Sequence, residues 1–363
     1  MMTRRLVRVS RSSAILATLV GLLVAGSAGA TATGASSRLV TPRTLFIEQG
    51  TIHKFAQDGD RIAWVGGRHY DVHLRGASQR RSWLLGHAGP NFKAAALVLG
   101  GTRAVWIQYS GVLSRQVSIT TAKPGLKPTS IDTLSAMDFY DGLPGRHLTD
   151  LAASGETILY AEAQVTCWGD ISECELTGGG VRWVHRFDGY STPPLIRRIP
   201  PALAIATSGR RIAVVPAVLE VPQGPDLTAL PNGPVNVYDL SGHQLAQVAP
   251  QGTVEEVALS WPDLAVIVTR PDGTTAIERY DAAHERLIAA TSVPDATRDA
   301  TDLSIGTGAI VFREGNTIYR WWNIGSSPSV LWRSHGKPVG LSIEGRRVAW
   351  AANGRIRALT VPR

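Results

Sequence analysis

Asp58-Gly59-Asp60-Arg61-Ile62-Ala63-Trp64 decides the fold, because a version of it returns six more times along the chain. The copies are Gly100-Gly101-Thr102-Arg103-Ala104-Val105-Trp106, Ser154-Gly155-Glu156-Thr157-Ile158-Leu159-Tyr160 and Ser208-Gly209-Arg210-Arg211-Ile212-Ala213-Val214. They continue as Trp261-Pro262-Asp263-Leu264-Ala265-Val266, Gly306-Thr307-Gly308-Ala309-Ile310-Val311 and Glu344-Gly345-Arg346-Arg347-Val348-Ala349-Trp350. Each couples a tight turn to a short apolar run ending on an anchor residue: Trp64, Trp106, Tyr160, Val214, Val266, Val311 or Trp350. A glycine stands five residues before the anchor in six of the seven copies, and the anchors recur every 39 to 54 residues. Self-similarity at that period is the signature of a repeat architecture.

Around each anchor the chain divides into four short β-rich runs separated by turn residues. In the fourth copy they are Ala202–Ala206, Arg211–Val215, Val235–Asp239 and Gln244–Val248. Four strands per unit of this length describe the blade of a β-propeller. No segment carries an apolar face at helical spacing, so the reading is all-β: a seven-bladed propeller of four-stranded antiparallel blades. The last copy runs out after three strands, at Arg355–Val361. Its missing outer strand has a candidate in Arg43–Glu48, at the other end of the chain, which would close the ring and cover a free sheet edge.

Residues 1–32 read as a signal peptide, with a basic start (Arg4, Arg5, Arg8, Arg11), an apolar run from Ala14 to Ala25 and small residues around Ala28-Gly29-Ala30. The run is too short to span a bilayer. Residues 33–363 are then the propeller, exported and expected to be a secreted monomer with no transmembrane segment. Without the four leader arginines, 33 basic residues face 29 acidic ones. The basic residues are scattered, as in Arg210-Arg211 and Arg346-Arg347 at turns, and show no cluster of the kind nucleic-acid binding needs. The two cysteines, Cys167 and Cys174, are expected to form a disulfide in an exported chain. No metal and no cofactor is expected.

The quoted phrase resembles the Asp-Gly-(Lys/Arg)-Ile-Ala-aromatic blades of bacterial secreted TolB-like, WD40-like propellers, most clearly at Asp58–Trp64 and Glu344–Trp350. The likeness implies the propeller fold over nearly the whole chain and specifies no chemistry. The Ser-Pro-Asp-Gly lead of that family survives in part as Ser260-Trp261-Pro262-Asp263, and the Gly-His and Trp-Asp pair of WD40 repeats is absent.

In a propeller, second-to-third-strand loops and blade-to-blade connections emerge on one face. The long connections are of these kinds: Leu134–Arg146, Gln164–Gly180 and Pro216–Gly233, in consecutive repeats. Insertions gathered on one face of a repeat array form a binding surface. The candidate residues are Asp138, Phe139, Tyr140, Asp141 and His147 from the first, and Trp168, Asp170 and Glu173 from the second, aromatics flanked by carboxylates that suit a protein or cell-envelope glycan partner. The opposing possibility is that Phe139, Tyr140 and Trp168 fold inward to pin their own loops. His69 and His73 would share one face of a strand, without a third ligand nearby. Asp188, Asp239 and Asp281 recur at third-strand ends, where capping of the turn is expected. No phosphate-binding loop, nucleophile elbow or His-Glu-x-x-His helix occurs. The expected function is a secreted recognition or scaffold module, leaning away from an enzyme. The alternative is a propeller hydrolase or lyase with a His/carboxylate site at the channel mouth, such as His147 with Asp138 or Asp141.

Overall fold

The structure is a computed structural model that describes residues 41–361 except 49, 77–78, 80, 89–95, 110–115, 136–143, 169–173, 185–191, 221–227, 232, 295–299 and 323–324. Residues 39–363 form one compact unit, the propeller. Strand β1 (Arg43–Ile47) comes first. Blade 1 follows with β2 (Ile52–Asp58), β3 (Arg61–Gly66), β4 (Asp71–Gly76) and β5 (Trp83–His87). Blade 2 has β6 (Leu97–Gly100), β7 (Arg103–Tyr109), β8 (Gln116–Ala122) and β9 (Thr129–Ser135), and blade 3 has β10 (Gly145–Ser154), β11 (Thr157–Cys167) and β12 (Cys174–Trp183). Blade 4 has β13 (Ala202–Ser208), β14 (Arg211–Glu220), β15 (Thr228–Pro231), β16 (Val235–Asp239) and β17 (Gln244–Val248). Blade 5 has β18 (Thr253–Ser260), β19 (Asp263–Thr269), β20 (Thr275–Asp281) and β21 (Arg286–Ser292). Blade 6 has β22 (Ala300–Ile305), β23 (Ile310–Glu314), β24 (Thr317–Trp321) and β25 (Ser329–Arg333). Blade 7 has β26 (Val339–Glu344), β27 (Arg347–Ala352) and β28 (Arg355–Thr360). Its outer strand is β1, antiparallel to β28, so the two ends of the propeller close in one sheet as the sequence predicts.

The first-to-second-strand turns explain the recurring glycine. Asp58 pairs with Arg61, Gly100 with Arg103, Ser154 with Thr157, Ser208 with Arg211 and Glu344 with Arg347, leaving two residues in each turn. The first of the two is Gly59, Gly101, Gly155, Gly209 or Gly345, with φ of +58° to +60°. That is the type II′ hairpin position, where a Cβ is penalised and the twist matches the flanking strands. Blade 5 turns instead on Trp261-Pro262.

Blade 6 departs from the expected register. Its turn is four residues wide, between Ile305 and Ile310. Phe312, rather than Val311, packs toward blade 5, while Val311 faces blade 7. A one-residue change of strand register moves a side chain to the other face, and the wider turn hides this in sequence.

Hydrophobic burial is distributed between blades, one cluster at each of the seven interfaces. Trp64, Trp106, Tyr160, Val214, Val266 and Trp350 are all fully buried there. A blade cannot bury either face alone, so the ring is stable only when closed. Trp321 packs toward blade 5 and Trp322 toward blade 7, on opposite faces as their adjacency requires.

Candidate functional site

Two of the three insertions are β-arms rather than loops. Strands β11 and β12 continue pairing out to Cys167 opposite Cys174, and β14 continues past the blade to pair with β15, from Ala217–Pro231 to Glu220–Thr228. Both leave the ring on the same face as the blade-to-blade connections, and they share a small core. Ala163, Val165 and Cys174 from the first arm and Ala217 from the second are buried together, with Cys167, Leu176 and Leu203 against them. The Cys167–Cys174 disulfide closes the first arm at its tip. A disulfide of this kind belongs to an oxidising, extracytoplasmic environment.

Side chains alternate along β11. The odd positions Ala161, Ala163 and Val165 face blade 4, and the even positions Tyr160 and Glu162 face blade 2. On the even side a charge network roots the arm. Arg146 donates to Asp132 at 2.8 Å and also to Glu162, Arg182 reaches the other Glu162 oxygen at 2.8 Å, and the Tyr160 hydroxyl donates to Asp132 at 2.6 Å. Asp132 and Glu162 are almost wholly buried, so their charges need these partners. Burial works against the Arg146 cation, but its hydrogen bonds to the two carboxylates outweigh it and hold its pKa above the ordinary value. Burial first, and then the bond to Asp132, push the Tyr160 phenol up. Opposite Glu162, Ala163 and Gln164 stand Gly180, Gly179 and Gly178. A Cβ on Gly179 would lie 2.3 Å from the Glu162 carbonyl oxygen, so the strands approach this closely only because the side chain is absent.

Of the residues expected at the site, Asp138, Phe139, Tyr140, Asp141, Asp170 and Glu173 lie outside the described residues. Trp168 follows the disulfide at the arm tip and is 53% exposed, so it does not fold under its own loop. His147 is fully buried in β10, opposite Ala163 and beside Ser135, and offers no imidazole to solvent. His69 sits in the turn before β4 rather than on the strand, while His73 stacks on Trp64. Asp239 caps its turn as expected, accepting from the Ser241 and His243 amides. The network escaped sequence reasoning because its members come from β9, β10, β11 and β12. The one local signal was Glu162, a charge inside an otherwise apolar run.

The inner strands line a central channel, with a cavity of about 430 Å³. Bulges near the start of β10 and β18 turn two carboxylates toward the next blade. Asp150 accepts from the Ile205 amide at 2.8 Å, and Glu256 from the amides of Asp302 and Leu303 at 3.2 and 2.8 Å. Enclosure within the ring pushes the Asp150 carboxyl up to about 6, against the pull of its amide partners. The same burial, with the Asp302 charge added, pushes Glu256 to about 7.

No family model and no curated protein matches the chain. Solved structures do. A chain of the mitotic checkpoint complex is similar over 93% of this chain and 99% of its own, with 14% identity and a TM-score of 0.53. Hsv2 from Kluyvelomyces marxianus is similar over 86% and 93%, with 12% identity and a TM-score of 0.53. BamB from Moraxella catarrhalis covers 86% of each chain at 11% identity and a TM-score of 0.49. The likeness is one of fold. The chain is a seven-bladed β-propeller, and fold alone assigns no chemistry to it.

Proposed function

We propose that this protein is an exported recognition module of the TolB-like kind, which holds a protein or a cell-envelope glycan on the insertion face of blades 3 and 4. The observation that carries this reading is the pair of arms. Two insertions in successive blades share a private core, one is stapled at its tip, and Trp168 stands half-exposed beside the staple. A rigid platform with an aromatic at its edge gives contact area at low entropic cost, which is what a binding surface needs and what a blade by itself does not. The signal-peptide reading of residues 1–32, made from sequence alone, and the disulfide both favour a place outside the cytoplasm. His147, the histidine the hydrolase or lyase alternative named, is buried and does not favour that reading.

The test is retention of envelope components by the immobilised protein, comparing wild type with Trp168→Ala and with Phe139→Ala/Tyr140→Ala/Trp168→Ala. A component held by the wild type and lost by the triple variant, with unchanged thermal unfolding, is the expected result. Equal retention by all three proteins rules the arm face out as the contact surface.

A further inference from the structure

The basic residues that look scattered in sequence converge on the face opposite the arms. Arginine occupies the first position of the second strand in four blades, as Arg61, Arg103, Arg211 and Arg347, and Arg210 and Arg346 lie within the turns themselves. Hydrogen bonds stitch these turns around the channel mouth. Asp58 accepts from the Gly101 amide at 2.5 Å and the Gly155 amide at 3.0 Å, Ser154 from Gly209 at 3.3 Å, and Ser208 from Trp261 at 3.2 Å. Repeat position is thereby converted into a ring.

Among the described residues the arginines of this ring are held in no salt bridge, although Asp60 acts on Arg347 as a nearby charge. Elsewhere Arg146, Arg182, Arg279 and Arg313 are each paired with a carboxylate. Among the described residues none of the six turn arginines makes an ion pair. Arg211 lies over the Trp261 ring at 4.9 Å, Arg346 donates to the Val361 carbonyl oxygen at 2.9 Å, and a terminal nitrogen of Arg347 is buried with no acceptor. A cleft of about 410 Å³ opens beside the mouth, where Arg61, Arg103 and Lys123 converge over the backbone of Gly100–Thr102, with Glu156 the one carboxylate in its wall.

We propose that this mouth binds a phosphate polymer, with one phosphate group held in the Arg61–Arg103–Lys123 cleft and the chain continuing past the turn arginines. Guanidinium forks match tetrahedral phosphate oxygens in pairs, and a recess between blades admits a flexible chain where a flat bilayer does not reach. The site is on the opposite face from the arms and stands independently of the function proposed for them.

The experiment is fluorescence anisotropy of labelled long-chain inorganic polyphosphate with the full propeller, repeated at rising salt. Parallel sedimentation uses phosphatidylcholine vesicles containing phosphatidylglycerol. Arg61→Gln/Arg103→Gln is expected to weaken polyphosphate binding by about tenfold or more and to flatten its salt dependence, since fewer counterions are released. The control, Arg68→Gln/Arg333→Gln, removes two exposed arginines from the opposite face and is expected to bind as the wild type does. Should the double variant fail to fold, Lys123→Gln on a separate turn is expected to lose about threefold by the same loss of a cationic contact. Absence of wild-type binding at low salt, equal weakening by the control pair, unchanged binding by the cleft variants, or binding to the vesicles alone would each overturn the proposal.

Discussion

Replacing Asp58 by alanine tests whether the turns are joined as the structure has them. Asp58 is 8% exposed, and its two oxygens take the Gly101 and Gly155 amides, one in each of the next two blades. Hydrogen bonds to a charged acceptor contribute roughly 1.5–3 kcal/mol each, and their loss leaves two amides short of an acceptor beside the channel. Water in the channel recovers part of this, so Asp58→Ala is expected to cost about 3–5 kcal/mol, a large share of the roughly 5–15 kcal/mol that holds a domain folded. Asp60 is in the same turn, exposed, and Asp60→Ala is expected to stay within about 0.5 kcal/mol of wild type. Urea unfolding of both variants gives the comparison, and hydrogen exchange at Gly101 and Gly155 localises it. A second readout is the Glu344 carboxyl, which burial first and the Asp58 charge second push to about 7. In Asp58→Ala its titration is expected to move down, only part of the way to the ordinary value, because burial remains. A loss below about 1 kcal/mol, or an equal loss in Asp60→Ala, would refute the stitched ring.

Two further outcomes follow from the site and the channel. Asp150 and Glu256 hold their protons to about 6 and about 7 in the folded ring, above their unfolded values, so the folded state binds more protons between about pH 4 and 7. Stability is therefore expected to fall as pH rises through that window, by up to about 3 kcal/mol per group, and Glu256→Gln should flatten the change in urea midpoints between pH 5 and 8. Cys167→Ser/Cys174→Ser removes a short staple contributing about 2 kcal/mol. The arm of residues 164–180 should exchange its amides faster while the blades unfold at nearly the same midpoint, and a uniform loss of protection across all blades would contradict a local role.

The number of blades, the turn glycines and the closing strand were legible because each rests on a pattern local to a few residues and repeated. Gly59 needs positive φ whatever its neighbours do, and Arg43–Ile47 is a short β-rich run left over before the first blade, while the last blade lacks an outer strand. Where a copy varied its turn, the pattern misled: the four-residue turn before Ile310 transferred the anchor role from Val311 to Phe312. The arms were visible as excess length, but a sequence of glycines such as Gly178-Gly179-Gly180 reads as a loop until its strand partner, Glu162–Gln164, is known. Cys167 and Cys174 could be paired from composition and compartment. That their arm packs on Ala217 of the next blade could not.

By itself, then, the chain determines a unit and its repetition, since hydrogen-bonding turns and alternating strands are decided over four to ten residues. Ring closure decides the rest. It brings Asp58 to Gly155, 97 residues away, sets Arg61, Arg103, Arg211 and Arg347 around one opening, and encloses Asp150 and Glu256 until their acidity changes. Those properties belong to distances between blades, which are fixed only when every blade's apolar face has been covered by the next.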